Sequence, residues 1–191
     1  MIDHSLVTAV VVTRGDVDLQ PILASLPFDD LIVWDNSEKA EDAKVYGRYL
    51  AAEDAVNDVV YFQDDDLIFP DVLALLDVYE PGRITCNMPS PWYECTGYER
   101  ARCGMVGAGA LVPKGLWRQA FDQYLGRWPL DDDFLNGCDW VNGILTPHAR
   151  YDFGYEIIVE RASAPGRIGT SPDGPALRQR MMERAVALRD E

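Results

Sequence analysis

The residues best placed for chemistry are carboxylates. Asp64-Asp65-Asp66 follow an apolar run, Val59 to Phe62, closed by Gln63, and lead back into apolar Leu67. Alternate side chains at a strand end point roughly the same way. Hard divalent cations such as Mg2+ and Mn2+ bind carboxylate oxygens and keep positions open for substrate phosphates. Asp64 and Asp66 therefore suit a metal-diphosphate site, with Asp65 between them for a sugar or ribose. The competing reading is an acidic loop or a helix cap. A second acidic run, Asp131-Asp132-Asp133, precedes the helical stretch Phe134 to Leu145, which contains Asp139 within Gly137-Cys138-Asp139-Trp140. Desolvation by apolar helix neighbours raises a carboxylate's pKa toward the range in which it accepts a hydroxyl proton. Asp139 is the first candidate for such a base and Asp132 the next, while at least one member of the run is expected to cap the helix.

Strands and helices that alternate along the first half must position these groups. Leu6 to Thr13 reads as a buried parallel strand, Val17 to Leu26 as a helix, and Leu31 to Trp34 as a second buried strand closed by Asp35-Asn36-Ser37. A helix over Glu41 to Ala55 precedes the third strand, Val59 to Phe62; a helix from Pro70 to Val78 and a strand from Arg83 to Cys86 follow. That order predicts an α/β fold with a mostly parallel central sheet and flanking helices, in which ligands collect outside the carboxyl ends of the strands. Asn87 to Cys103 is irregular and aromatic. Gly104 to Val112 reads as a strand of small residues, Gly115 to Tyr124 as a helix, and Arg150 to Val159 as a further strand or pair. Ala162 to Pro175 reads as a Gly/Pro/Ser-rich loop before a terminal helix, Ala176 to Leu188.

A chain of 191 residues with 48% hydrophobic content supports one domain with a substantial core. Residues 1–160 are expected to form it, 1–86 and 87–160 as its two halves, with the loop and helix of 161–191 packed on the same domain. No window approaches the roughly 18 apolar residues of a membrane span. Met1-Ile2-Asp3-His4 lacks the basic-then-apolar pattern of a secretion signal, so the cytoplasm is the expected location. Cys86, Cys95, Cys103 and Cys138 show no paired C-x-x-C spacing and read as reduced structural thiols rather than a zinc cluster. A net charge of -15 disfavours a nucleic-acid backbone as partner. The late arginines, including Arg178, Arg180, Arg184 and Arg189, read as a solvated helix face balancing the acidic body.

Thr13-Arg14 after the first strand, Asp35-Asn36-Ser37 closing the second and a D-x-D element after the third resemble, in order and interval, the nucleotide-sugar half of GT-A glycosyltransferases, particularly those of family 2. The resemblance spans about Val7 to Tyr155. It implies a Rossmann-like nucleotide-sugar-binding fold and transfer of a sugar from a nucleoside diphosphate donor, UDP by family default, to a hydroxyl acceptor with inversion. Thr13 and Arg14 would then border the nucleotide, Asp35 with Asn36 in its turn would meet the base or ribose, and Asp64 and Asp66 would hold Mn2+ or Mg2+. An acidic residue of the acceptor half, here Asp139 or Asp132, would be the general base. His148, reached after the acceptor helix, would be a third metal ligand. Arg167, in the Gly-Pro loop, would close over the diphosphate and offset leaving-group charge. The chain departs from the pattern in having Asp-Asn where Asp-Asp or Asp-Gly is usual and in its abbreviated acceptor region. Leu145 to Tyr155 is similar to small glycosyltransferase-like proteins of actinobacteria and their phages. That similarity makes a hydroxylated pyrimidine in DNA or a virion protein the candidate acceptor, and the host cytoplasm the expected site of action.

Three other readings compete. A nucleotidyltransferase wants a Gly-rich, Arg/Lys-bearing loop after its first strand, and Thr13-Arg14-Gly15-Asp16 is lean for that. A phosphohydrolase wants paired aspartates there. A binding module without a working base predicts nucleotide-sugar binding and no transfer.

Overall fold

The computed structural model describes residues 1–90, 97–157 and 172–191. β1 (Val7–Thr13) is buried along its whole length, as its β-branched run dictates for a strand covered on both faces. It pairs in parallel with β2 (Asp30–Asp35) on one side and β3 (Val59–Asp64) on the other. The sheet continues through β6 (Ala108–Pro113) and β5 (Ile84–Asn87) to β7 (His148–Tyr151), in the order β2-β1-β3-β6-β5-β7. β6 is antiparallel to both its neighbours, and β5 pairs in parallel with β7. The sheet is mostly parallel, as expected, with helices flanking it; it is mixed because one strand, β6, runs against the other five.

Two expectations need correction. β2 is an edge strand rather than a buried one: Ile32 and Trp34 pack inward, while Leu31 and Val33 remain 37% and 39% exposed. The helix expected over Glu41 to Ala55 begins late, as a 3-10 turn at Lys44–Tyr46 followed by α2 (Gly47–Glu53). Asn36 causes the delay. Its Oδ1 accepts from Trp34 Nε1 at 3.0 Å and from the Ala43 N–H at 3.1 Å, and its Nδ2 donates to the Lys44 carbonyl at 3.0 Å. Those bonds hold the backbone before Gly47 in a loop, and the Trp34 indole lies so close to Gly47 that a Cβ there would sit 2.4 Å from Nε1. The entry of α2, and with it the direction of Arg48 and Tyr49, is fixed by that contact.

α1 (Gln20–Ser25), the β4 strand (Leu67–Ile68) and α3 (Val72–Asp77) follow the first three strands in part, and α4 (Tyr98–Ala101) precedes β6. One core lies on the face that carries Val10, Val60, Phe62, Ala110 and Val112, under α2, α5 (Leu116–Leu125), α6 (Asp132–Leu145) and α7 (Gly174–Arg189). Tyr49, Phe62, Trp117, Phe121 and Phe134 interlock there, with ring centroids 4.8 Å apart for Tyr49–Phe121 and 5.1 Å for Phe121–Phe134. Edge-to-face pairs of this kind add about 0.5–1.5 kcal/mol each beyond their buried area. A second core on the opposite face joins Ala9, Tyr61 and Leu111 to Phe69, Val72, Leu75 and Leu76. β8 (Glu156–Ile157) pairs antiparallel with β4 in a separate two-stranded sheet. Among the described residues no helix is long and apolar enough to cross a membrane.

Candidate functional site

Register brings the strand ends together. Thr13 faces Asp35 across β1 and β2, and Val12 faces Asp64 across β1 and β3, so Thr13, Asp35 and Asp64 lie along one carboxyl edge of the sheet. The loops behind them touch: a Cβ on Gly15 would lie 2.4 Å from Ser37 Oγ and 3.0 Å from Asp35 Oδ1. Thr13 Oγ1 accepts from the Gly15 N–H at 3.1 Å, and Arg14 Nη2 lies 2.8 Å from Asp16 Oδ2. Asp35 Oδ1 accepts from the Ser37 N–H at 2.8 Å and from its hydroxyl at 2.7 Å, the bonding of an ordinary Asx turn. Asn36 is buried and its amide is committed to the loop bonds above. It positions the chain and is not presented to a ligand, contrary to the sequence expectation.

The triplet itself divides. Asp64 is the last residue of β3 and half-exposed, Asp65 is buried in the following turn at 7% exposure, and Asp66 leads into β4. Asp64 is held from the side of β6. Its N–H donates to the Gly107 carbonyl at 2.8 Å, and a Cβ on Gly107 would stand 2.2 Å from Asp64 Oδ2. A β-bulge skips Gly109 between the pairs Phe62–Ala110 and Gln63–Ala108. Gly109 carries φ +98, a left-handed conformation that favours glycine, and a Cβ there would also strike Phe69 at 2.6 Å. The bulge swings Gly107 against the Asp64 carboxylate.

Arg48, the second residue of α2, is 2% exposed and lies between Asp64 and Asp139. Its Nη2 donates to Asp64 Oδ1, and its Nη1 is 3.3 Å from Asp139 Oδ2. Nη1 is near enough for ionic attraction to Asp139 but is not aligned as a hydrogen bond; Nη1 and Nε have no hydrogen-bond partner among the described residues. Asp139 takes its hydrogen bond instead from the Tyr49 hydroxyl, which donates to Oδ1 at 2.6 Å. Asn142 Nδ2 donates in turn to the Tyr49 oxygen at 3.2 Å, and the Thr146 hydroxyl donates to Asn142 Oδ1 at 2.9 Å. Asp139, Asn142 and Thr146 thus form one polar stripe along and just beyond α6, at helical spacing, facing α2.

Charge and burial oppose each other here. Burial raises the Asp139 pKa most, the Arg48 guanidinium pulls it back, and the neighbouring charge of Asp64 adds to the rise, so the net direction is upward. Burial alone would lower the Arg48 pKa, but Asp139 and then Asp64 outweigh it and hold the guanidinium charged. The Tyr49 phenol is pushed well above its usual value, first by burial and then by the Asp139 charge, so it stays a donor. With Arg48 charged and both carboxylates ionised, the three groups sum to one net negative charge.

The remaining candidates lie elsewhere. Asp132 is exposed in the first turn of α6, two helical turns or about 10 Å from Asp139. Its run is structural: Asp131 is the N-cap, accepting from the Phe134 N–H at 3.0 Å, and Asp133 takes a two-pronged pair from Arg180 at 2.7 and 2.8 Å. His148 does not reach the triplet. It pairs with Ile84 at the start of β5, and Thr85 is level with Leu111 and hence with Tyr61 of β3. His148 is therefore three strands across from Asp64 and about four residues back along the register, roughly 14 Å and 13 Å in the two directions. There its ring lies against Gly104, with Nδ1 3.2 Å from the Thr146 carbonyl, and burial lowers its pKa. Arg167 and Cys95 lie outside the described residues. Cys86, Cys103 and Cys138 are free, buried thiols with pKa values raised by burial, Cys86 to about 12.

No group of three or more His, Cys, Asp or Glu side chains among the described residues forms a metal-holding cluster. Asp64 ends β3 with its Oδ1 bonded to Arg48, and Asp66 follows two residues later in the turn. The sequence missed Arg48, Tyr49 and Gly107. Tyr49 was legible only as a core residue of a helical stripe, and nothing in the local sequence marks an arginine as buried. Neither a protein-family model nor a curated protein matches the chain.

Proposed function

We propose that the protein is a metal-dependent GT-A-type glycosyltransferase, moving a sugar from a nucleoside diphosphate sugar to a hydroxyl acceptor. The observation that carries the reading is the convergence of Asp64, from the end of β3, with Asp139, from α6, across a single buried cation. Asp64 belongs to the donor side, at the carboxyl edge with Thr13 and Asp35. Asp139 is half-buried, accepts from Tyr49 and has a raised pKa, the properties of a general base. Asp64 and Asp66 would hold Mn2+ or Mg2+, which when bound supplies charge neutralisation for the departing diphosphate.

In the reaction, Asp139 Oδ2 takes the proton of the acceptor hydroxyl while that oxygen forms its bond to the anomeric carbon. The bond from that carbon to the diphosphate breaks on the opposite face, and its electron pair leaves with the diphosphate. Direct displacement inverts the anomeric centre. Tyr49 keeps Oδ1 occupied, so that Oδ2 is the oxygen offered to the proton. Asn142 and Thr146 fix the Tyr49 hydroxyl in turn.

A thermal-shift screen of nucleotide sugars with and without Mn2+ tests the donor half. Metal-dependent stabilisation by one donor, lost in Asp64→Ala/Asp66→Ala, is expected. No shift with any nucleotide overturns the reading. The proximity of Arg48 to Asp139 favours a second reading, a donor-binding module whose would-be base is tied up in an ion pair. That module predicts the same stabilisation with no nucleotide release in the presence of hydroxyl acceptors.

A further inference from the structure

Tyr98 stands beside the site with its hydroxyl unused. It opens α4, after Gly97 in the left-handed φ +85 that glycine takes without strain. α4 is fastened to α7 at two points: Arg100 Nη2 donates to Gln179 Oε1 at 3.0 Å, and Arg189 Nη1 donates to the Ala101 carbonyl at 2.6 Å. The Tyr98 ring stacks flat on Trp140, the neighbour of Asp139 on α6, with centroids 4.3 Å apart and planes 9° from parallel. The same ring packs against the cluster of Leu67, Met88, Met105 and Ala108, in which Leu67 follows Asp66 and Ala108 follows Gly107. Tyr98 thus spans from the helix of Asp139 to the strand ends around Asp64. It is partly exposed, and its hydroxyl makes no hydrogen bond among the described residues. Burial first, then Cys103 and Asp139, push its pKa upward against the opposing charge of Arg178, so the phenol remains a donor.

We propose that Tyr98 selects an oxygen nucleophile: its hydroxyl donates to the acceptor oxygen whose proton goes to Asp139 Oδ2. This rests on the glycosyl-transfer reading above and narrows the acceptor. An alcohol oxygen carries one proton and two lone pairs. With its proton directed at Asp139 and one lone pair at Tyr98, the second lone pair is the one aimed at the anomeric carbon. A neutral amine has a single lone pair, and accepting from Tyr98 would consume the pair needed for attack. A thiol is a weak acceptor and gains little from the phenol. Tyr98 forms no covalent bond and gives up no proton.

The test compares wild type with Tyr98→Phe, which keeps the stacked ring and removes an oxygen that the described chain does not bond; its Tm is expected to match wild type. Transfer is followed on the full chain with the nucleotide sugar that stabilises wild type most. Paired acceptor probes are a hydroxymethylpyrimidine against an aminomethylpyrimidine in an oligonucleotide, and a seryl peptide against its β-amino analogue. In Tyr98→Phe, transfer to the alcohol is expected to fall about three- to tenfold, the contribution of a neutral hydrogen bond. Transfer to the amine is expected to be no lower than in wild type, and donor stabilisation to be unchanged. Equal transfer to the alcohol by both proteins, or an equal fall for alcohol and amine, overturns the assignment and leaves the transferase standing. Loss of donor stabilisation in Tyr98→Phe places the phenol on the diphosphate and overturns it as well. Donor binding by wild type with no transfer to any alcohol overturns both this assignment and the transfer reading.

Discussion

Gly107→Ala is the most searching perturbation of the site, because it removes no charge and no hydrogen-bonding group. The new Cβ would lie 2.2 Å from Asp64 Oδ2, 2.6 Å from its Cγ and 2.7 Å from Oδ1. Ordinary van der Waals contact starts near 3.4 Å, so the carboxylate must retreat by more than an ångström (3.4 − 2.2). The residue it strikes is short and sits at a strand end whose own N–H is bonded to the Gly107 carbonyl, so the strain is not relieved by a flexible tip. A shift of that size breaks the bond from Arg48. Overpacking costs about 1–3 kcal/mol, and loss of a charged hydrogen bond adds about 1.5–3. Arg48 retains Asp139, which recovers part of the second figure, so about 2–4 kcal/mol in total is expected. For a chain of this length that lowers Tm by roughly 4–16 °C. Differential scanning fluorimetry gives the Tm, and the same instrument reads the donor response with Mn2+, which is expected to vanish. A Gly107→Ala protein with wild-type Tm and an intact metal-dependent shift refutes the packing of Asp64 on Gly107 and the reasoning built on it.

Asp139→Asn tests the raised pKa. A carboxyl whose folded pKa lies above its unfolded value of about 3.8 contributes stability that is fully present below pH 3.8 and is lost as pH rises through the folded value. In urea denaturation from pH 3.5 to 8, the stability of Asp139→Asn relative to wild type should therefore rise with pH and level off above the folded pKa; a difference that is flat or falls contradicts the desolvation argument. His148→Gln should leave Mn2+ affinity within twofold of wild type, because His148 lies at the other end of the sheet, and a larger loss measured by calorimetry would place it back at the metal.

Most strands were legible because their evidence is local. Val7–Thr13 and Val59–Asp64 are apolar runs closed by turn residues, and their burial on both faces follows from the run itself. Their carboxyl-end loops could be aligned without coordinates because parallel βαβ units return each strand to the same edge. β2 misled for a related reason: Leu-Ile-Val-Trp looks equally buried whether one face is covered or two, and only the sheet order makes it an edge. The reversed direction of β6 had no signature either, since small residues in a strand do not state which neighbour they approach.

The sequence by itself determined that Asp64 ends a strand and that Asp139 sits among apolar residues on a helix, since periodicity and composition decide both. Tertiary structure alone decided that these two carboxylates meet, because 74 residues of chain separate them (139 − 64 = 75 positions) and no local pattern encodes that closure. It also set Asp139 beside Arg48 and Tyr49 and left Asp132, equally acidic in sequence, exposed two turns away on α6. It excluded His148 from the cluster by register and supplied Arg48, whose burial depends on Asn36 and Trp34 setting the start of α2. A side chain's chemistry is written in its residue type, whereas its partners are set by strand order, register and the packing of elements remote in the chain.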